Sequence, residues 1–148
     1  MTIERLDLER IKEIVEFDLL CFPNDYWNED EWKELLSDDR SIYYGLLDND
    51  KLVGDIFIYN WQGEKDYIKI MNLAVHPDYR KQGWAHKLLH HAEKEMLNIG
   101  MNRFCGETRE SNKAMQNVFE GCDYRLDRVE ENYYDKPDES AYKYVLQR

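Results

Sequence analysis

The run from Tyr67 to Leu89 constrains this chain more than any other stretch. Tyr67–Val75 is rich in β-branched and aromatic residues and reads as a buried strand. Pro77 cannot continue a ladder and ends it. From Trp84 onward the apolar residues Ala85, Leu88, Leu89, Ala92 and Met96 fall on one face of a helix that ends near Gly100. A strand feeding a helix through a glycine turn belongs to a layered α/β domain. The turn itself, Arg80-Lys-Gln-Gly-Trp-Ala85, is equipped for an anion. A helix N-terminus offers unpaired N–H groups and a partial positive charge of about half a unit. Gly83 lets the backbone approach a ligand, Ala85 is too small to block it, and Arg80 and Lys81 add charge, so the turn suits a pyrophosphate. It carries neither the P-loop pattern nor the three-glycine dinucleotide fingerprint.

The remaining segments complete the outline. A short strand around Ile3 precedes a predicted helix from Leu8 to Cys21, stopped by Pro23. Asn28 is a candidate N-cap for a second helix, Glu29–Leu36, with Trp32, Leu35 and Leu36 inward. Ser41–Leu47 and Lys51–Trp61 flank Asp48-Asn-Asp50 as a hairpin. Arg103–Glu107 reads as a strand, and Ser111–Phe119 as a helix closed by Gly121. Tyr124–Tyr134 and Ala141–Gln147 read as a last antiparallel pair. The order β-α-α-β-β-β-α-β-α-β-β predicts an α/β (α+β) fold on a mixed sheet, and residues 1–148 suffice for a single domain.

Charge placement narrows the partners. A net charge of −11 speaks against nucleic acid, whose phosphates require a basic face. Residues 76–91 hold Arg80, Lys81 and Lys87 against Asp78, a local +2, whereas Asn24–Asp39 holds seven acids against Lys33, a net of −6. One basic island in an acidic chain fits one bound anion, with a cation favoured elsewhere; acidic runs also serve as solvated helix faces. No apolar run is long enough for a membrane span, and the N-terminus lacks signal-peptide features. Three cysteines without CxxC spacing point to neither a disulfide framework nor a zinc site, and the expected location is the cytoplasm.

Val75–Ala85 fits, in order, the pattern V-x-P-x-Y-[RQ]-x-x-G-x-[GA] and thereby resembles the GNAT superfamily of acetyl-CoA-dependent N-acetyltransferases. From about Cys21 onward the chain is similar to the ribosomal-protein alanine N-acetyltransferase branch. Glu107-Thr-Arg-Glu-Ser-Asn112 resembles its E-V-R-x-S-N, and Asn132-Tyr-Tyr134 its N-Y-Y loop. The resemblance implies a GNAT-like, mostly antiparallel sheet flanked by helices, with acetyl-CoA as co-substrate. It implies that Leu73, Ala74 and Val75 pair their backbone with the pantetheine arm. Arg80, Lys81, Gln82, Gly83, Trp84, Ala85 and His86 would surround the pyrophosphate, with Asn112 and Phe119 also on the cofactor. Glu107 resembles the general base. Tyr133 and Tyr134 resemble the acceptor wall, and Tyr26 is a further acceptor candidate. Where this branch usually carries the tyrosine that protonates the departing thiolate, this chain has Phe119, so Tyr134 is the candidate for that task.

Read without the resemblance, Glu107 is a strand-end residue in a structural ion pair with Arg103 or Arg109. His86 and His90 stand four apart on one helix, but no acid or cysteine completes a metal set by spacing, so no metal is expected. Trp27, Trp32 and Tyr26 divide between pocket and core. The expected activity is acetylation of a protein or peptide N-terminal α-amine, with a cationic acceptor favoured. The alternatives are a small cationic amine such as a polyamine or aminosugar, and CoA binding without catalysis. The chain is expected to act as a monomer or homodimer, away from membranes.

Overall fold

The computed structural model describes Met1–Arg148. Strand β1 (Thr2–Leu6), a 3-10 turn (Leu8–Arg10) and helices α1 (Ile11–Cys21) and α2 (Glu29–Leu36) lead into β2 (Ser41–Asp48), β3 (Lys51–Asn60) and β4 (Ile68–Val75). Another 3-10 turn (Pro77–Tyr79) precedes α3 (Trp84–Asn98), then β5 (Arg103–Arg109), α4 (Lys113–Gly121), β6 (Arg125–Tyr134) and β7 (Glu139–Gln147). The seven strands form one sheet in the order β1-β2-β3-β4-β5-β7-β6, in which only β4 and β5 run parallel. This is the mixed, mostly antiparallel sheet with flanking helices expected from the sequence.

Local chemistry accounts for most boundaries. Asn28 Oδ1 accepts from the Glu31 N–H at 2.8 Å, and Glu31 Oε1 accepts from the Asn28 N–H at 3.1 Å, a complete capping box for α2. The predicted Leu8 start of the first helix is corrected: the Asp7 carboxylate accepts from the Glu9 N–H, winding Leu8–Arg10 into a 3-10 turn before α1. The predicted closure of α4 at Gly121 is also corrected. The helix runs through Gly121, and Asp123 takes the left-handed conformation at φ 70°. Gly121 serves close packing instead, since a Cβ there would stand 2.9 Å from His86 Nε2 on α3.

Each face of the sheet buries its own core. Ile56, Ile58, Ile70, Leu73 and Phe104 pack beneath Leu88, Leu89, Ala92 and Met96 of α3 and Phe119 of α4. On the opposite face Phe57, Tyr43 and Leu52 meet Ile14 and Phe17 of α1 and Trp32 of α2. A charged residue is embedded in that second layer. Asp55 is 0% exposed; one carboxylate oxygen accepts from the Tyr43 hydroxyl at 2.5 Å, and the other has no hydrogen-bond partner. Burial pushes its carboxyl up to about 7.

The feature that positions the site is a break between β4 and β5. Phe57 pairs with Asn72 but Ile58 with Ile70, so Met71 is an extra residue on β4. A bulge of this kind bends its strand. The parallel pairing of β4 with β5 covers only Ile68–Ile70 against Phe104–Gly106, and beyond it the two strands part.

Candidate active site

Between the parted strands lies a cavity of about 460 Å³. Its walls come from Lys69–Leu73 of β4, Glu107–Arg109 of β5, and Asn112, Met115 and Phe119 around α4. Asp18, Phe22, Asp25 and Trp27 close one side, and Tyr133 and Tyr134 the other. Beyond Ile70 the β4 edge facing this gap has no strand partner, although its Val75 carbonyl accepts from Arg80 Nε. His76 N–H donates to Val53 O at 2.8 Å, so the antiparallel alternation sends the backbone groups of Ala74 toward β3 and those of Leu73 and Val75 toward the gap. Of the three residues expected to pair with an extended ligand, Leu73 and the Val75 N–H face the gap, the Val75 carbonyl accepts from Arg80, and Ala74 faces β3.

At the C-terminal end of β4 sits the anion-type turn, and its backbone is unusual. Lys81 has φ 64° and Gly83 φ 82°, and α3 begins without any side-chain cap. α1 likewise lacks a side-chain cap, whereas Asn28 caps α2 and Asn112 caps α4 by accepting from Met115 N–H at 3.1 Å. The first N–H groups of α3 therefore remain available as donors. Arg80 turns back, its Nε donating to Val75 O at 2.8 Å, and Lys87 Nζ stands 4.3 Å over the Trp84 ring. Lys81, Gln82 and Gly83 are exposed, while Trp84, Ala85 and His86 are half-buried.

Glu107 is the charge at the heart of the cleft. It accepts from the Tyr133 hydroxyl at 2.7 Å, and its oxygens lie 3.5 Å from Lys69 Nζ and 3.3 Å from Lys143 Nζ. The cations that pair with it are thus these two lysines, and neither Arg103 nor Arg109. Burial pushes its carboxyl up, but the Tyr133 hydroxyl and the two ammonium groups outweigh burial and hold it below the usual carboxylate range. Burial and the adjacent Glu107 push the Tyr133 hydroxyl up to about 12. Burial, then the charge of Glu107, raises Tyr134 as well. The Tyr134 ring meets Tyr133 edge-on at 5.1 Å and carries the Arg109 guanidinium 4.6 Å from its centre.

Phe119 is 2% exposed and stacks on Tyr144 at 5.3 Å, with its ring tip against Gly106. It lines the cleft floor as a hydrocarbon wall. Tyr26 is not brought to the cleft: it is 43% exposed, and Trp27 lines the cavity in its place. The reason is local. Tyr26 N–H closes onto Phe22 O, whereas Trp27 N–H is drawn to the buried carboxylate of Asp18 at 2.8 Å. Trp32 is wholly buried and belongs to the core. Among the histidines, His76 Nδ1 accepts from the Asp78 N–H and His91 packs edge-on against Tyr44 at 4.8 Å. Sequence reading missed Lys69, Lys143 and Asp18, none of which left a signal, and took Arg109, two residues beyond Glu107 on the same side of β5, only as a candidate ion-pair partner of Glu107.

Residues 8–124 match the Acetyltransferase (GNAT) family. The chain belongs to the GNAT acetyltransferases. Within that family it is 33% identical over 100 residues to the [ribosomal protein bS18]-alanine N-acetyltransferase of Escherichia coli K12, covering 68% of this chain and 66% of that one. The same-named protein of Haemophilus ducreyi is 31% identical over 81 residues, 55% of this chain and 56% of that one. The alignments thus span about half to two thirds of these relatives' length. The crystal structure of the Escherichia coli ribosomal-protein-S18-alanine N-acetyltransferase superposes with a TM-score of 0.88 at 24% identity, covering 99% of this chain and 92% of that one. A putative streptothricin acetyltransferase of Bacillus anthracis, solved with acetyl coenzyme A, superposes at 0.78 with 18% identity, covering 99% and 98%. At those identities the two structures share the GNAT fold.

The turn yields a direct expectation. A Cβ on Gly83 would meet nothing within 4 Å, so space does not forbid a side chain there, but φ 82° does. Gly83→Val is expected to stay folded by circular dichroism while the turn relaxes and redirects its N–H groups. Calorimetry should then show CoA affinity falling at least roughly tenfold, the loss that ~1.4 kcal/mol brings. Unchanged affinity in the folded variant would remove the turn from the cofactor site.

Proposed function

We propose that this chain is an N-acetyltransferase that moves acetyl from acetyl-CoA to a primary amine, with a protein or peptide N-terminal α-amine as acceptor. The observation that carries this reading is the parting of β4 from β5. It leaves a strand edge without a strand partner, running from an uncapped helix N-terminus to a carboxylate held within the cleft. These features fit the cofactor: anion donors at one end, a strand edge for the amides of an extended arm, and a cavity beside Glu107. The likeness to the bS18-alanine N-acetyltransferases supports the choice of acceptor.

When bound, acetyl-CoA supplies the activated acyl group. Lys81 to His86 would hold the pyrophosphate through main-chain N–H groups, and Leu73 and Val75 the arm. Glu107, ionised at neutral pH, takes the amine's proton directly or through one water. The ammonium groups of Lys69 and Lys143 disfavour a third cation beside them, so the acceptor amine is pressed toward its neutral, nucleophilic form. Tyr134, with its hydroxyl raised above the ordinary value, is suited to donate a hydrogen bond to the departing sulfur. A thiol of reference pKa near 8.5 departs as thiolate without full proton transfer.

The second reading, a small cationic amine, draws on the acidic α2 segment with Glu29, Asp30, Glu31 and Glu34. The two lysines around Glu107 count against it. Thiol release from acetyl-CoA in the presence of an Ala-initiated peptide, spermidine, or no amine separates the readings. The peptide is expected to give the faster release. Faster release with spermidine would transfer the assignment to small amines, and no release with either would leave a CoA-binding protein.

A further inference from the structure

We propose that Arg109 is a positioning residue that latches the acceptor side of the cleft shut. It does so by fastening the α1–α2 connection to the β6–β7 turn through Asp25. The assignment of that side to the acceptor rests on the function proposed above; the latch itself rests on geometry.

A guanidinium has five N–H donors in a fixed fork. At Arg109 all five are used. Nε and Nη2 reach the two carboxylate oxygens of Asp25 at 2.8 and 2.7 Å. Nη2 also donates to Asp135 O at 2.9 Å, while Nη1 donates to Pro137 O at 2.8 Å and to Glu139 Oε2 at 3.0 Å. The second oxygen of Glu139 accepts from Ser111 N–H at 3.0 Å, which ties in the segment leading to α4. The guanidinium then lies on the Tyr134 ring, 4.6 Å from its centre. One side chain thus joins β5, the β6–β7 turn and a loop 84 residues away in sequence.

The partners are unequal in what they do. Three contacts go to the β6–β7 hairpin, which is already paired with the sheet through β7. Asp25 is the one contact to the α1–α2 connection. That connection carries Phe22, Asp25 and Trp27 into the cavity wall; Phe22 and Trp27 pack on the second core, and the Trp27 N–H donates to the buried Asp18. Releasing Asp25 would leave the segment between those two anchors, opposite Tyr133 and Tyr134, without a bond across the cleft. Asp25 has no hydrogen bond to the β4 edge, the α3 turn or α4, so releasing it acts on the acceptor side.

Asp25→Asn, Asp25→Glu and Arg109→Lys test this in the full chain. Asn keeps the shape and loses the charge, Glu keeps the charge, and Lys keeps one charge but cannot fork. In the free protein, hydrogen–deuterium exchange of amides 22–28 is expected to quicken at least several-fold in Asp25→Asn and Arg109→Lys, with α3 unchanged. With an Ala-initiated peptide, the acceptor KM should rise about fivefold or more while the acetyl-CoA KM moves less than about twofold. Asp25→Glu should restore both readouts to near the parent values. Equal exchange in parent and Asp25→Asn would overturn the latch, as would an acetyl-CoA KM that rises in step with the acceptor KM. The exchange measurement decides the latch even if no amine is acetylated, an outcome that would sink the proposed function alone. Asp25→Asn keeps the question open to measurement if Arg109→Lys fails to fold.

Discussion

Glu107→Gln is expected to lower kcat by roughly 10²- to 10⁴-fold, with the acetyl-CoA KM held within about twofold. The amide keeps the shape of the carboxylate, and its oxygen can still accept from the Tyr133 hydroxyl. What it loses is the charge that balances Lys69 and Lys143 and that, in the proposed function, receives the proton. The pH profile sharpens the expectation. Because the carboxyl sits below its ordinary range, Glu107 is already ionised at and above that range and contributes no inflection near pH 6. For the proposed α-amine acceptor, which titrates near 8, the rise of kcat/KM toward alkaline pH then belongs to the acceptor. Both parent and variant should therefore show the same alkaline rise at very different heights. A loss under threefold would return Glu107 to a structural partner of its lysines. An inflection near pH 6 present only in the parent would contradict the lowered carboxyl.

The fold was legible where the chain's signals are local. The α2 cap needs only Asn28 and Glu31, three residues apart. The α3 start needs only Pro77, Gly83 and the apolar stripe that follows. The site was legible only along single elements, where Glu107, Asn112 and the tyrosine pair each carry their own motif. What surrounds Glu107 was not, because Lys143 faces it through the β5–β7 register, and that register follows from a fold-wide pairing of strands. Tyr26 and Trp27 show the same limit at short range. Two adjacent aromatics are equal candidates by composition, and the choice falls to Asp18, a buried carboxylate on α1 whose oxygens accept from Trp27, Trp32 and Asn72. Gly121 misled for a related reason. A glycine near a helix end usually ends it, but here the missing Cβ makes room for a histidine from another helix.

Asp55→Asn is expected to gain stability over the parent, progressively, as pH rises from about 4 to about 8. In the folded chain the carboxyl is pushed up to about 7 from an ordinary value of 3.8, first by burial and then by the neighbouring charge of Asp18. The groups that face it are Tyr43 from β2, Asp18 and Cys21 from α1, and through Cys21 the guanidinium of Arg80. Tyr43 alone hydrogen-bonds to it, and one of its oxygens has no partner. Folding therefore favours the protonated form. Below pH 4 folded and unfolded chains both carry the proton, and the stability tied to this group is whole. As pH climbs, the unfolded chain releases the proton first, and stability drains until the folded carboxyl ionises near 7. A carboxyl raised this far ties at most about 4 kcal/mol of stability to its proton, some 10³-fold in the folding equilibrium. Asparagine is neutral in both states and has no such decline. Its own imperfect fit opposite Tyr43 adds a cost independent of pH, which cancels when the two proteins are compared across pH. The other carboxylates titrate alike in both proteins and cancel as well. Urea unfolding of parent and variant at pH 4, 6 and 8 measures the difference. A gap between them that stays constant within about 0.5 kcal/mol would show that Asp55 is already ionised in the native chain at low pH. The desolvation of its unpartnered oxygen would then be offset by something other than a proton.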